Sequence, residues 1–358
     1  MTINKGLEGV VAAETALSLV DGERGELIIA GFPVAELALN ATFEETVSLL
    51  WDAPYVSGRR HIPESTIALL RDAAHDRVDT MDALRMGAGT IRGEAPADVL
   101  AALPTIVAAY WRLLNGREPI SPRDDLGHAA NYLYMLSGGL PSAERVRGLE
   151  TYLNTVVDHG LNASTFTARV IISTGSDLVS AVVGAIGALK GPLHGGAPGP
   201  ALDMVFEIGD AARAEAVLRK KIESGEKLMG FGHRVYKVRD PRADVLAAAA
   251  ERLFCRCGGQ RDGDVHLYEL AKSVEATALR LLEEYKPGRR LQTNVEFYTA
   301  LLLHGLGLEV PLFTPTFAVS RAAGWIAHAL EQRRANRIIR PQSVYVGPTG
   351  RTWRNPAA

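Results

Sequence analysis

The sequence is short of cysteine, of aromatic side chains and of net charge, and these shortages exclude several classes of protein. Only two of the 358 residues are cysteines, too few for a disulfide framework, so a reducing cytoplasm is the expected compartment. The 39 Lys and Arg nearly balance the 41 Asp and Glu, which argues against a nucleic acid or an anionic membrane as the partner. No apolar run approaches the roughly 20 residues that span a bilayer, and the first residues show no signal-peptide pattern. Aromatic residues make up 6% and glycines number 35, which is typical of closely packed small residues.

Most of what the sequence does contain follows the helical period. Thr42 and Glu45 form a capping box ahead of an apolar-faced helix. Further N-cap signals precede three helices, at Ser121-Pro122, Ser142 and Asp240-Pro241. Strand signals are confined to Glu26–Pro33, predicted as one arm of a small hairpin, and to Ser343–Gly347. Because strands do not alternate with helices, the pattern predicts an all-α fold.

Four segments place a histidine or an acid beside glycine, proline or asparagine. They are DHGLNAST at 158–165, GPLHGG at 191–196, MGFGHRVY at 229–236 and TNVEFY at 293–298. Glycines beside His194 and His233 let the backbone approach a ligand closely and leave N–H groups free to hold an anion. The plainer interpretation of each segment is a capping or turn histidine, and it stays open for any one of them taken alone.

Other readings of these residues are weaker. Gly230-x-Gly232 lacks the third glycine of a dinucleotide-binding motif. The spacing of His159, His194 and His233 fits no local metal motif, so no metal site is predicted. Cys255 and Cys257 are too sparse for zinc and are predicted to be helix-borne core thiols. The basic run near the C-terminus is either a solvated helix face or part of an anion site.

Taken in order, with GLEGVVAAET at 6–15 and FAVSRAAGWIAHALEQ at 317–332, these segments resemble the citrate synthase family over most of the chain. The resemblance implies an all-α fold of two helical domains: a large one from residues 1–200 and 302–358, and a smaller inserted one from 201–301. The Gly- and Pro-rich stretch 191–200 lies close to one crossing. A homodimer is also implied. Because the sequence opens almost directly at GLEG, we expect the short dimeric type without NADH regulation.

The resemblance also implies an activity. Citrate synthases join acetyl-CoA to oxaloacetate in a Claisen-type condensation, a step of the tricarboxylic acid cycle, and then hydrolyse the citryl thioester. Acetyl-CoA is a substrate, and no cofactor is expected. By motif, Glu296 matches the carboxylate base, His194 the imidazole that donates to the enolate oxygen, and His233 the histidine that polarises or protonates the ketone.

Further positions match substrate ligands of the family. Oxaloacetate carries two carboxylates, which suit bidentate arginine clamps. The matching oxaloacetate-binding positions are His159, Arg242, Phe317, Arg321 and Arg340, and Arg340 is expected to reach the neighbouring subunit's site. Basic and polar residues near the catalytic segments are candidates for the coenzyme A side: Lys237, Arg239, Arg289, Arg290 and Asn294.

One position departs from the family pattern, because the base is usually Asp and here it is Glu296. An extra methylene moves the carboxylate by about one bond length, and a misplacement near 1 Å can cost about 10²-fold in rate. A displaced backbone that compensates is the favoured explanation; a slow enzyme and a different acyl-CoA are the others. Two alternative functions follow: a 2-methylcitrate synthase that uses propionyl-CoA, and a non-catalytic homologue that binds citrate or CoA.

Overall fold

The computed structural model describes residues 4–55, 58–195, 198–232, 235–256, 262–351 and 353. Within these residues the chain is largely α-helical, as predicted. The helices, in chain order, are α1 Val34–Asn40, α2 Phe43–Trp51, α3 Glu64–His75, α4 Thr80–Ala88, α5 Pro96–Leu114, α6 His128–Ser137, α7 Ala143–Val156, α8 Ala163–Ser173, α9 Leu178–Leu189, α10 Pro198–Ile208, α11 Ala214–Glu223, α12 Pro241–Glu251, α13 Asp262–Tyr285, α14 Val295–Gly305 and α15 Phe313–Arg334.

The strands form one small antiparallel sheet near the N-terminus. Its strands are β1 Ser18–Asp21, β2 Glu26–Ile29 and β3 Phe32–Pro33, in the spatial order β1-β2-β3. The prediction of Glu26–Pro33 as one hairpin arm is correct only for Glu26–Ile29, which pairs with β1; the chain then turns, and Phe32–Pro33 pairs back on β2 as a third strand. The strand predicted at Ser343–Gly347 is wrong, because this segment has no regular secondary structure. Val346 is 92% exposed, and a β-prone segment without a partner strand or a buried face gains nothing from extended pairing.

The core is organised around α15, which packs against α8, α9, α5 and α7. Trp325 of α15 is fully buried. Helix α5, with 19 residues, is long and apolar enough to cross a membrane. The expectation that no apolar run approaches this length is therefore wrong. However, 67% of its most apolar window is buried inside the protein. Packing of this kind is what a core helix requires, so α5 is not evidence for a membrane span.

Helix starts depend on local caps at some places and on tertiary contacts at others. The capping box of α2 is confirmed: the Glu45 N–H donates to Thr42 Oγ1 at 3.2 Å, and the Thr42 N–H donates to Glu45 Oε2 at 2.7 Å. Asp240 and Ser142 cap α12 and α7 as predicted.

The cap predicted at Ser121-Pro122 is wrong, because α6 begins only at His128. There the backbone N–H donates to Glu44 Oε1 at 2.6 Å, so a side chain from α2 supplies the cap.

Helices α12 and α14 pack against each other, and α12 also packs against α7. The first turns of α12 and α14 consequently lie near the end of α7. Each of these three places carries a residue that the sequence analysis singled out: Arg242, Glu296 and His159. The packing of α12 is thus what brings distant motifs to one site.

Candidate active site

A cavity of about 800 Å³ lies where these helix ends meet α15. Its walls hold six of the predicted site residues: His159, His194, Arg242, Glu296, Phe317 and Arg321. Residues of the N-terminal stretch, from Gly6 to Ala12, contribute a further part of the wall. His233, predicted as catalytic, and its neighbour Arg234 lie outside the described residues. The fold therefore gathers predicted residues that are up to about half the chain apart and adds residues from the N-terminal end.

Glu296 stands in the first turn of α14, and Asn294 sets its position. The Asn294 side chain caps the helix by accepting the Glu296 N–H at 3.0 Å. The carboxyl group is half-buried and faces the cavity. Burial raises the pKa of Glu296 to about 7; Arg242 and Arg321 oppose the rise and Asp240 adds to it. Since a proton acceptor works best with a pKa near the working pH, this carboxyl is suited to general-base chemistry.

Two buried arginines form the cationic wall. Arg242 is 4% exposed and is held by Asp240 in a two-point contact, Nε to Oδ1 at 3.0 Å and Nη2 to Oδ2 at 2.8 Å. Burial alone would lower the pKa of Arg242, but the Asp240 carboxylate outweighs it. Arg321 donates from Nε to the Val156 carbonyl at 2.6 Å and lies over the Phe317 ring, 4.7 Å from its centroid. Burial lowers the pKa of Arg321 to about 10, so both guanidinium groups stay charged at pH 7.

His194 sits in the tight turn that follows α9, where its N–H donates to the Gly191 carbonyl at 2.9 Å. A side chain on the next residue, Gly195, would place its Cβ 2.5 Å from the Leu189 carbonyl oxygen. Only glycine fits there, which explains one of the glycines that flank this histidine. Burial, and next the charge of Arg321, lower the pKa of His194 to about 4. The imidazole is therefore neutral at pH 7.

Hydrogen bonds from Ser164 hold the imidazole ring of His194 in place. Its Nε2 lies 2.8 Å from Ser164 Oγ and 3.4 Å from the Ser164 backbone nitrogen, whose N–H can only donate. The backbone N–H can bond to Nε2 only when the ring proton is on Nδ1, whereas the Ser164 hydroxyl also donates to Asn162 Oδ1 at 2.8 Å. Trp325 Nε1 donates to the same Ser164 hydroxyl at 3.0 Å. The sequence analysis did not single out Ser164 or Trp325 as site residues, although both lie in the quoted motifs.

His159 lies three residues beyond the last residue of α7 and is held by a side chain of the MGFGHRVY segment. Its Nε2 lies 3.0 Å from the hydroxyl oxygen of Tyr236. Burial raises the pKa of Tyr236 to about 12, so the tyrosine stays neutral and can donate. Tyr236 is another contact that the sequence analysis missed, although it belongs to the MGFGHRVY segment.

A second cleft, of about 510 Å³, holds the basic residues. Lys237, Arg289 and Arg290 line it, and all three were predicted for coenzyme A. Arg239 instead forms ion pairs with two carboxylates, those of Asp244 at 2.5 Å and Glu275 at 3.1 Å. Asn294 uses its side chain on the backbone, donating to the Gly232 carbonyl at 2.7 Å. Of the five candidates, three therefore share one cleft.

Arg340 does not line the cavity. It is exposed on the segment that follows α15. Its contribution to the neighbouring subunit's site stays a prediction. Among the residues that the structure describes, no group of three or more His, Cys, Asp or Glu could hold a metal ion. The structure describes neither Cys257 nor the side chain of Cys255, so the thiol prediction is not addressed.

A helical fold whose cavity combines a carboxyl group of raised pKa, a neutral imidazole and two buried arginines defines the class: an enzyme that performs acid–base chemistry. Comparison with known proteins identifies the family. The model for the C-terminal domain of citrate synthase matches residues 6–342. The chain belongs to the citrate synthase family.

Individual relatives cover nearly the whole chain. The chain is 40% identical to citrate synthase 2 of Bacillus subtilis, over 97% of each sequence. It is 38% identical to the 2-methylcitrate synthase of Mycobacterium tuberculosis, over 96% of this chain and 91% of that one. The crystal structure of citrate synthase from Thermoplasma acidophilum, a ternary complex with carboxymethyl coenzyme A and oxaloacetate, superposes with a TM-score of 0.85 at 30% identity and covers 99% of both chains.

Proposed function

We propose that the protein is a citrate synthase that condenses acetyl-CoA with oxaloacetate and hydrolyses the resulting thioester to citrate and CoA. The observation that carries the proposal is the shared cavity, in which the Glu296 carboxyl, the neutral His194 imidazole and two charged arginines meet. The Thermoplasma relative, solved with oxaloacetate and a CoA derivative, supports the same substrates. In the tricarboxylic acid cycle, this activity would form citrate.

In the proposed reaction Glu296 removes a proton from the acetyl methyl group. The Nδ1–H of His194 donates to the thioester oxygen, which takes up negative charge as the enolate forms. A fixed donor at such an oxygen typically contributes about 10²–10³-fold in rate. The enolate carbon then bonds to the ketone carbon of oxaloacetate, and the ketone oxygen takes up a proton, the role proposed for His233. Water finally cleaves the citryl thioester and releases CoA.

Oxaloacetate is proposed to bind through its carboxylates. Arg242 and Arg321 are its cationic ligands in the cavity, with His159 and the Phe317 ring beside them. Because Asp240 already holds two nitrogens of Arg242, the guanidinium is fixed in one orientation before the substrate arrives. The second cleft, with Lys237, Arg289 and Arg290, is the proposed site for the phosphates of coenzyme A.

Arg340 is proposed to complete the site of the other subunit in a homodimer. The test is subunit mixing of two variants that are each inactive, Arg340→Ala and Glu296→Gln. A hybrid dimer has one site with both defects and one intact site, so mixing should restore up to about a quarter of wild-type activity. Two variants that stay inactive after mixing, while native mass spectrometry shows hybrid dimers, would remove this role of Arg340.

We also propose that residues 201–301 form a smaller domain that closes on the larger one when oxaloacetate binds. Arg242 and Glu296 come from this stretch, whereas His159, His194 and Arg321 come from the rest of the chain. A site divided in this way needs closure to assemble and to exclude water. Small-angle scattering should show compaction on addition of oxaloacetate. An unchanged radius of gyration would contradict closure on oxaloacetate binding.

The proposed reaction needs acid–base groups alone, so we propose that it uses no cofactor, and the scarcity of cysteine favours a cytoplasmic location. The decisive experiment measures CoA thiol release with oxaloacetate and either acetyl-CoA or propionyl-CoA, with and without a chelator. A higher kcat/KM for acetyl-CoA supports the proposal. A higher kcat/KM for propionyl-CoA supports 2-methylcitrate synthase, which the Mycobacterium relative keeps in view. No thiol release at saturation would favour a non-catalytic binding protein.

A further inference from the structure

A buried carboxylate outside the cavity has four hydrogen-bond donors. Glu275 of α13 is 5% exposed. Its Oε1 accepts from Thr293 Oγ1 at 2.7 Å and from Arg239 Nη1 at 3.1 Å. Its Oε2 accepts from the Tyr298 hydroxyl at 2.5 Å and from Lys272 Nζ at 3.2 Å. A carboxylate with both oxygens occupied in this way fixes the groups around it as firmly as they fix it.

The donors come from the chain segments that carry the cavity residues. Thr293 immediately precedes Asn294, the cap of α14, and Tyr298 is two residues beyond Glu296. Arg239 immediately precedes Asp240, the cap of α12. One carboxylate therefore joins the starts of both helices to the middle of α13.

Backbone hydrogen bonds extend this attachment to a third segment. The Gly232 N–H donates to the Gln292 carbonyl at 2.7 Å, and the Asn294 N–H donates to the Gly230 carbonyl at 2.9 Å. Residues 230–232, just before His233 in the chain, are thus paired with the strand-like residues 292–294. Glu275 holds the centre of that pairing through the Thr293 side chain.

Hydrogen bonding keeps Glu275 ionised. Burial would raise the pKa of this carboxyl, but the hydroxyls of Tyr298 and Thr293, followed by the charges of Arg239 and Lys272, outweigh it and lower the pKa. Glu275 does not line the cavity. It is therefore placed to hold other groups and not to exchange protons with a substrate.

We infer that Glu275 is a positioning residue for the condensation, because its carboxylate sets, through Thr293 and Tyr298, where α14 holds the Glu296 carboxyl. Catalytic groups must be held to within a fraction of an ångström, and a 1 Å error can cost about 10²-fold in rate. The inference rests on the proposed function, since it concerns the placement of the proposed base.

The test separates the hydroxyl of Thr293 from its methyl group. Thr293→Val keeps the shape and removes the hydrogen bond to Glu275, so kcat should fall about 10- to 100-fold, while KM for oxaloacetate, which other residues bind, stays within about threefold. Thr293→Ser keeps the hydroxyl and loses buried methyl contacts. It should retain kcat within about threefold while its Tm falls. Tyr298→Phe should show the same split as Thr293→Val.

A merely structural role makes kcat and Tm fall together in all three variants, and this result would overturn the inference. So would wild-type kcat in Thr293→Val, or equal loss in Thr293→Ser. The control is Glu215→Gln on α11, which removes an exposed carboxylate that pairs with Arg219 and Arg280 and should match the wild type. If the wild type itself releases no thiol, the proposed function fails and not the placement of Glu296.

Discussion

Two glutamates on consecutive helices, Glu275 of α13 and Glu296 of α14, are both withdrawn from solvent, yet their pKa values move in opposite directions. Glu275 is surrounded by four donors and its pKa is lowered. Glu296 faces the cavity, where the two arginines only partly offset burial, and its pKa rises to about 7. The comparison teaches that burial alone does not decide protonation. The donors within hydrogen-bond reach decide whether a buried carboxyl is an anchor or a proton acceptor.

The largest effect is expected from removal of the proton acceptor. Glu296→Gln should lower kcat by at least about 10³-fold, because the amide cannot take the proton that general-base catalysis requires. Oxaloacetate should still bind, since Arg242 and Arg321 remain, and calorimetry would measure this. Glu283→Gln, on the exposed surface of α13, is the matched control. Turnover like that of the wild type in Glu296→Gln would exclude Glu296 as the base.

The second prediction tests the raised pKa directly. Only the ionised form of Glu296 accepts a proton, so kcat/KM for acetyl-CoA should fall about tenfold per pH unit below a midpoint near 7. The pKa of His194, at about 4, is too low to produce a limb in this range. A pH series of initial rates at saturating oxaloacetate measures the midpoint. An acid limb only near pH 4 to 5 would contradict the raised pKa of Glu296.

A smaller effect concerns the imidazole that shares the cavity. Ser164→Ala removes the hydroxyl that lies between Trp325 Nε1 and His194 Nε2. Without it, the imidazole ring is held less firmly in its orientation. We expect kcat to fall about tenfold, with KM for oxaloacetate little changed. Ser180→Ala serves as the control. The hydroxyl of Ser180 donates to Asp177, the residue that caps its own helix α9. An unchanged kcat would mean that the backbone N–H of Ser164 is sufficient to hold the ring.

The smallest expected effects are in stability, and they have opposite signs for the two glutamates. The folded-state pKa of Glu296 lies above its unfolded value, so its ionisation opposes folding above pH 4.5 and does so fully above about pH 7. Glu296→Gln should therefore raise Tm at pH 8 by a few degrees and leave it unchanged near pH 4. Thermal unfolding at a series of pH values measures both.

Glu275 should behave in the reverse way. Its folded-state pKa lies below the unfolded value, so its stabilising contribution is present above pH 4.5 and is lost as the pH falls through the folded-state pKa. Glu275→Gln should lower Tm at pH 8, and the difference from the wild type should shrink in acid. If both variants shift Tm in the same direction at pH 8, the contrast between the two sites is wrong.

Local features of the fold could be predicted because their causes are local. The Thr42 capping box and the caps at Ser142 and Asp240 involve residues within one helical turn, and all three were predicted correctly. The start of α6 could not be found in this way, since the group that caps His128 belongs to Glu44 on another helix. The tail segment 343–347 has strand-forming residues, but no neighbouring strand pairs with it.

The same division applies to the site. By itself the sequence determined the helical class, the family and the candidate residues, because residue type and order along the chain are sufficient for pattern and resemblance. The tertiary structure alone decided that Arg239 pairs with Glu275 while Lys237 lines a cleft, that His194 lies against Ser164, and that the pKa values of two glutamates diverge. Desolvation, Coulomb interactions and hydrogen bonds depend on distances through space, and those exist only once the helices have packed.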